Sequence, residues 1–304
     1  MKIYEQVKSK FILPNAYEDW RSYREQITER ILSIAPYDLH TTAPKAMAIL
    51  GAGRCNDIDL TKCLTCYDHI TLIDEDDAAI QTAYQSLSPE LQKRLTLCHA
   101  TLDGITSDDI ELLCQNLLEY VQSHGRSLTT DDYLTYATEQ LWNIKKLLYT
   151  NSEQLHTILP PKSYDLVVCL GVHSQLLSGL SYCLEILDYN ISEQLFHNTY
   201  SGMEEYHRIL TDMLADIIPV LNQSILDSSK GSVMIGCEDD SDHPVAGAYP
   251  CILDIRERIS SLRAPANANE SMHYTMTEEH LEWNFHSARH MNYNMLIQTI
   301  STTI

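Results

Sequence analysis

Ala46-Met-Ala-Ile-Leu-Gly-Ala-Gly-Arg-Cys-Asn-Asp57 is the stretch on which the fold turns. Ala46 to Leu50 is a short apolar run with the length and character of a buried strand, and Gly51-Ala52-Gly53 follows at once. The chain holds 10 glycines. Two of them at one strand end mark a tight turn where a ligand can approach main chain that carries no Cβ. A helix beginning near Asp57 would offer free amide groups to polar ligand atoms. A second run, Ile70 to Ile73, closes on Asp74, 21 residues past Gly53. Doubly wound folds place an acid at that distance, where its carboxylate accepts hydrogen bonds from ribose hydroxyls.

Outward from this stretch, Leu95 to Cys98, Leu166 to Leu170 and Ser232 to Ile235 are further strand-type runs separated by helical pattern. That alternation predicts an α/β fold, a doubly wound and mostly parallel sheet with helices on both faces. Trp283 to Phe285 and Met295 to Ile300 flank a polar turn, Ser287 to Asn292, and predict a closing antiparallel hairpin that brings the sheet to seven strands. Trp20, Tyr23, Ile27, Ile31 and Ile34 form one apolar stripe on an N-terminal helix that Pro36 should stop. Between the third and fourth strands two stripes, Ile110 to Val121 and Leu134 to Leu148, predict a helical insertion, with Thr106/Asp109 and Thr129/Asp132 as capping pairs. Tyr206 to Ile225 again has helical period, and Pro219 should kink it or end its first part. The expected organisation is a helical cap over residues 1–45, then a Rossmann-like domain over 46–304 with an insertion at about 105–160.

A Gly-x-Gly turn paired with a ribose acid serves nicotinamide dinucleotides and S-adenosylmethionine alike, and Asn56 stands where dinucleotide folds have a third glycine. Ala46 to Asp57, Ile70-Thr-Leu-Ile-Asp-Glu-Asp-Asp-Ala-Ala79 and Tyr164-Asp-Leu-Val-Val-Cys-Leu-Gly171 together resemble the first, second and fourth motifs of class I S-adenosylmethionine-dependent methyltransferases. The resemblance runs from about residue 46 to the C-terminus, with motif identity confined to those three stretches. It implies that Gly51, Ala52 and Gly53 lie under the methionine part, that Asp74 with Glu75 holds the ribose, and that Leu170 and Gly171 line the methyl-transfer site. Leu102 and Asp103 would sit beside the adenine, a place that Thr101 fills equally well. Many family members have an acid two residues before the first glycine; this chain has Ile49.

His173, just after the fourth run in Gly-Val-His-Ser-Gln, reads either as a general base or substrate contact or as a histidine bonded to a loop. His243 has the same two readings. The acid run Glu238 to Asp242 reads as a solvated loop or helix start rather than a metal site. Cys63-Leu-Thr-Cys66 has no second pair at zinc spacing, and the nine cysteines read as reduced, buried thiols, so no metal is expected.

Lys plus Arg number 21 against 42 for Asp plus Glu, a formal charge of −21 that repels phosphate backbones and anionic membranes. The N-terminus lacks the apolar core of a signal peptide, and a cytoplasmic location is expected. No Asn-Pro-Pro-Tyr sequence follows the fourth run, and Gly-x-Ser-x-Gly, Walker and His-Glu-x-x-His sequences are absent. The function implied is in-line methyl transfer from S-adenosylmethionine to a small-molecule or peptide-derived acceptor, with no nucleic-acid or membrane partner and a homodimer compatible with the chain. The alternatives are a cofactor-binding protein without transfer activity and a nicotinamide-dependent oxidoreductase.

Overall fold

The computed structural model describes residues 3–10, 12–35, 43–191, 203–239, 245–263 and 273–303. The chain forms two compact units. One comprises Pro14–Leu102, Asn151–Ser174 and Ile218–Ile304; the other comprises Met1–Leu13, Asp103–Thr150 and Gln175–Ile217.

The first unit is built on a seven-stranded sheet in the order β3-β2-β1-β4-β5-β7-β6. Its strands are β1 (Ala46–Leu50), β2 (His69–Asp74), β3 (Leu95–His99), β4 (Tyr164–Leu170), β5 (Ser229–Glu238), β6 (His273–His286) and β7 (Met291–Thr303). β1 to β5 pair in parallel, whereas β7 runs antiparallel to both β5 and β6. This is the doubly wound sheet with a closing hairpin that the sequence pattern predicts. The hairpin strands are longer than their apolar segments, because pairing continues through polar residues such as Glu278↔Gln298.

Side chains alternate across a strand. Met47, Ile49, Ile70, Leu72, Leu166, Val168 and Met234 pack in one cluster with Tyr23, Ile27 and Ile31. Those three come from α2 (Arg21–Ser33), which follows α1 (Ile3–Lys10). The intervening Ala48, Val167, Cys169, Val233, Ile235 and Cys237 are buried on the opposite face. Burial of one such side chain contributes roughly 1.5–3 kcal/mol, so α2 is held by its stripe rather than by helix propensity. It ends at Ser33; Pro36 lies outside the described residues. Helix α3 (Asp77–Gln85) follows β2 and is N-capped by Asp76, whose carboxylate accepts from the N–H of Ala79.

The second unit is helical: α1, α4 (Ser107–His124), α5 (Thr130–Lys145), α6 (Ser178–Ile191) and the first part of α7 (Met203–Ser228). Both expected capping pairs form. Thr106 and Asp109 make a reciprocal capping box, and Thr129 accepts from the N–H of Asp132. In its interior the Tyr133 hydroxyl donates to Asp188 at 2.7 Å, and burial pushes the Asp188 carboxyl up to about 6.

Pro219 does not end α7, which continues to Ser228. An internal proline costs about 3 kcal/mol, but Ile217, Ile218, Leu221 and Ile225 around it are all buried and hold the helix together. By length and mean hydropathy Glu204–Ser228 is the one described helix able to cross a membrane, and 56% of that window is buried inside the protein, as in a core helix. Helix α8 (Ala248–Arg263) packs on the sheet unit beside β5 and β6.

Candidate functional site

β1 runs straight into a turn with two left-handed glycines, Gly51 at φ +61° and Gly53 at φ +48°. Their surroundings differ. A Cβ on Gly51 would lie 2.5 Å from Cγ2 of Val172, so residue 51 is closed by packing. A Cβ on Gly53 would meet none of the described residues within 4 Å. The turn is stitched by Ala52 N–H to the Ile73 carbonyl at 3.2 Å and by Cys55 N–H to the Ala52 carbonyl at 2.8 Å.

Asp74, the last residue of β2, binds this turn directly. Its Oδ2 accepts from the N–H of Gly53 at 2.8 Å, and its Oδ1 accepts from the N–H of Asp76 at 2.7 Å. Glu75 follows half-buried, and Leu102 is buried at the end of the same unit. Asp103 belongs to the helical unit, where its carboxylate accepts from the N–H of Ile105 at 2.9 Å.

At the end of β4, Leu170 is half-buried and Gly171 takes φ +64°. A Cβ there would lie 3.6 Å from the Trp283 ring and 4.0 Å from Oε1 of Glu238. Glu238 closes β5 and is 5% exposed, so it is no part of a solvated loop, contrary to the sequence reading; Asp240 to Asp242 and His243 lie outside the described residues. β5 pairs with β7 as far as Glu238↔Met295, and this carries the carboxylate inside. Its Oε1 accepts from the Ser174 hydroxyl at 2.7 Å, and burial raises its pKa against that bond.

Tyr23 of α2 stacks on Trp283 with ring centroids 5.2 Å apart. Burial, then the Asp57 and Glu238 charges, hold its phenol well above the usual range. Tyr23 Oη, Trp283 Nε1 and Glu238 Oε2 are buried polar atoms with no hydrogen-bond partner among the described residues. Such atoms cost about 1–3 kcal/mol each when left unpaired, and these three lie in neighbouring side chains beside Gly171. Asp57, at the end of the glycine turn, is pushed up to about 6 by burial, with the Arg24 guanidinium opposing. Arg24 itself donates to the carbonyls of Tyr17 and Asn56 and so pins α2 to the turn.

His173 is not at the site's surface. It is fully buried; its Nε2 lies 2.8 Å from Oδ1 of Asn222, and its Nδ1 lies 4.0 Å from the sulfurs of Cys169 and Cys237. A general base must reach the proton it removes. Both ring nitrogens of His173 face core groups on the side of the sheet away from α2, so of its two readings the histidine bonded within the protein is the one that fits.

The turn glycines, Asp74, Leu170 and Gly171 thus gather at the carboxyl ends of β1, β2 and β4, as open α/β sheets require of a ligand site. Tyr23, Arg24, Asp57, Glu238 and Trp283 join them. Tyr23 and Trp283 enter the sequence pattern as core residues, and neither Arg24 nor the Asp57 side chain stands out there as a ligand group; the burial of Glu238 is visible only once strand pairing shows where β5 ends.

No family model matches the chain, and no curated protein matches it. Among solved structures it is similar to a protein from Corynebacterium glutamicum, at 10% identity over 98% of this chain and 94% of that one, with a TM-score of 0.42. It is also similar to precorrin-6Y C5,15-methyltransferase from Geobacter metallireducens, at 8% identity, 91% and 87% coverage and a TM-score of 0.37. A third is magnesium protoporphyrin IX methyltransferase from Synechocystis with bound SAH, at 10% identity, 93% and 85% coverage and a TM-score of 0.37.

Proposed function

We propose that the carboxyl ends of β1, β2 and β4 bind S-adenosylmethionine, and that the protein transfers its methyl group to a small-molecule or peptide-derived acceptor. The observation that carries this reading is the open left-handed turn at Gly53 bonded to the carboxylate of Asp74. Gly53 leaves room for a ligand to lie on bare main chain, and a carboxylate at the end of the second strand is the group that doubly wound folds set beside the hydroxyls of a ribose.

The charges around the turn favour this cofactor over a dinucleotide. Asp57 and Asp74 stand at the turn and Glu238 beside Gly171, where a pyrophosphate would meet three acids. An ammonium and a sulfonium are attracted by the same acids and by the faces of Trp283 and Tyr23. Asp57 and Glu238 also supply acidity near the turn in a chain whose residue 49 is isoleucine.

When bound, the cofactor supplies a methyl group already activated by positive charge. The protein's work is then alignment and exclusion of water, for which the backbone at Leu170 and Gly171 and the aromatic wall of Trp20, Trp283 and Phe285 are suited. Glu238, on the same sheet face as α2, is the acid that would take a proton when the acceptor carries one, through Oε2, which has no hydrogen-bond partner among the described residues. Ser174 orients the carboxylate through Oε1.

The test is a thermal-shift series followed by transfer of labelled methyl into candidate acceptors. S-adenosylmethionine or its demethylated product at a hundred times Kd should stabilise the fold by about 2.7 kcal/mol, and NAD should not. Equal stabilisation by NAD refutes the assignment. Binding without methyl incorporation into any acceptor leaves a cofactor-binding protein without transfer activity.

A further inference from the structure

On the sheet face opposite α2, His173, Cys237 and Cys251 are fully buried and present ligand atoms that all lie within 4.8 Å of one another. Cys169 joins them: its Sγ and that of Cys237 are each 4.0 Å from Nδ1 of His173. These donors come from β4, the segment after it, β5 and α8, so their convergence is a tertiary fact that no spacing in the sequence announces.

The imidazole is oriented from behind. Arg258 Nε donates to Oδ2 of Asp254 at 2.6 Å, and Nδ2 of Asn222 donates to the same oxygen at 2.8 Å. The Asn222 amide therefore turns Oδ1 toward His173, so Nε2 carries the proton and donates across 2.8 Å. The lone pair of Nδ1 is left pointing at two thiols. A ring fixed through one nitrogen by an oriented acceptor, with the other nitrogen among sulfurs, is the arrangement metal-binding histidines have.

We propose that Cys169, Cys237, Cys251 and Nδ1 of His173 form a closed structural site for a thiophilic divalent cation, zinc being the ion that suits three thiolates and one imidazole. Tetrahedral zinc with bonds of about 2.3 Å to sulfur and 2.0 Å to nitrogen sets its donors roughly 3.6 Å apart. The two 4.0 Å separations from Nδ1 to Cys169 and Cys237 need contract by a few tenths of an ångström, whereas within His173, Cys237 and Cys251 the separations reach as far as 4.8 Å and need contract by up to about 1.2 Å, and Cys169 joins that set through Nδ1. Each thiol releases one proton on binding, and the product is a complex of one Zn²⁺ with three thiolates and a neutral imidazole. The site would tie the segment that follows Gly171 to the strand that carries Glu238 and to α8. It does not depend on which cofactor the glycine turn holds.

The test uses the full chain. Elemental analysis of protein refolded under reductant with zinc and then desalted should give about one equivalent per chain, and cobalt in its place should give a thiolate-to-cobalt charge-transfer band with intense tetrahedral d–d bands. Cys237→Ser and Cys251→Ser should each fall below about 0.2 equivalents, whereas Cys183→Ser, a buried thiol of the helical unit, should retain the metal. Removal of zinc by a chelator should lower the Tm of the unaltered protein, a readout that needs no variant to fold. Folded protein that holds no zinc after such refolding and gives no cobalt bands would overturn the site and leave the thiols as core filling.

Discussion

The N–H of Gly53 donates a 2.8 Å hydrogen bond to Oδ2 of Asp74, joining the loops that leave the parallel neighbours β1 and β2. Asp74 is thus both a brace for the turn and the proposed ribose acceptor. Asp74→Ala should weaken cofactor binding by roughly 1.5–3 kcal/mol, about tenfold to a hundredfold, and should also lower the Tm. Asp74→Asn keeps Oδ1 for one amide and should lose less on both counts. Asp76→Ala removes an N-cap, costs about 1 kcal/mol of stability and should leave affinity unchanged. Calorimetric titration beside urea unfolding separates the two effects, and an unchanged Kd for folded Asp74→Ala would remove the ribose contact.

The two turn glycines should respond differently. Gly51→Ala drives a methyl into Val172 and should destabilise the fold, with partial rescue by adding Val172→Ala. Gly53→Val sets its Cβ where none of the described residues lies within 4 Å; it adds left-handed strain of roughly 1–2 kcal/mol and fills the ligand's space. It should stay folded and lose cofactor binding by calorimetry. Retained affinity would mean that nothing lies on this turn.

Tyr23→Phe and Glu238→Gln test the unpartnered polar atoms. If they served only the fold, removing a buried unpaired hydroxyl or a desolvated charge would be neutral or stabilising by about 1 kcal/mol. We expect that gain in urea unfolding together with a loss of turnover, on the order of a hundredfold or more in kcat for Glu238→Gln. Unchanged turnover in both would place the acceptor elsewhere.

Burial raises the Asp57 carboxyl from 3.8 to about 6. The folded state then binds more protons than the unfolded one between those values, so this group's contribution to stability is greatest in acid and is lost as pH rises toward about 6, with no further change above. In Asp57→Asn that component should disappear. Urea midpoints measured from mildly acidic to neutral pH, as a difference between the two proteins, report it; an identical pH profile would mean that Asp57 is solvated.

What the sequence determined by itself is local. The apolar runs Ala46 to Leu50, Ile70 to Ile73 and Leu166 to Leu170 lie in strands because each has strand length and is buried on both faces, and Thr106 and Thr129 cap helices through neighbours three residues on. Gly51, Gly53 and Asp74 were legible because a parallel sheet brings successive strand ends together at a fixed interval. His173 carries two readings in the sequence because position after a strand says nothing of which way a ring turns, and Asn222, 49 residues away, turns it into the core. Glu238 was read as loop because its strand pairing, not its composition, carries it inside. Tyr23 and Trp283 are 260 residues apart in the sequence and 5.2 Å apart in the fold. Hydrophobic period, capping and turn conformation act over a few residues and survive as pattern, whereas burial of a lone polar atom depends on every element packed around it, and that only the tertiary structure decides.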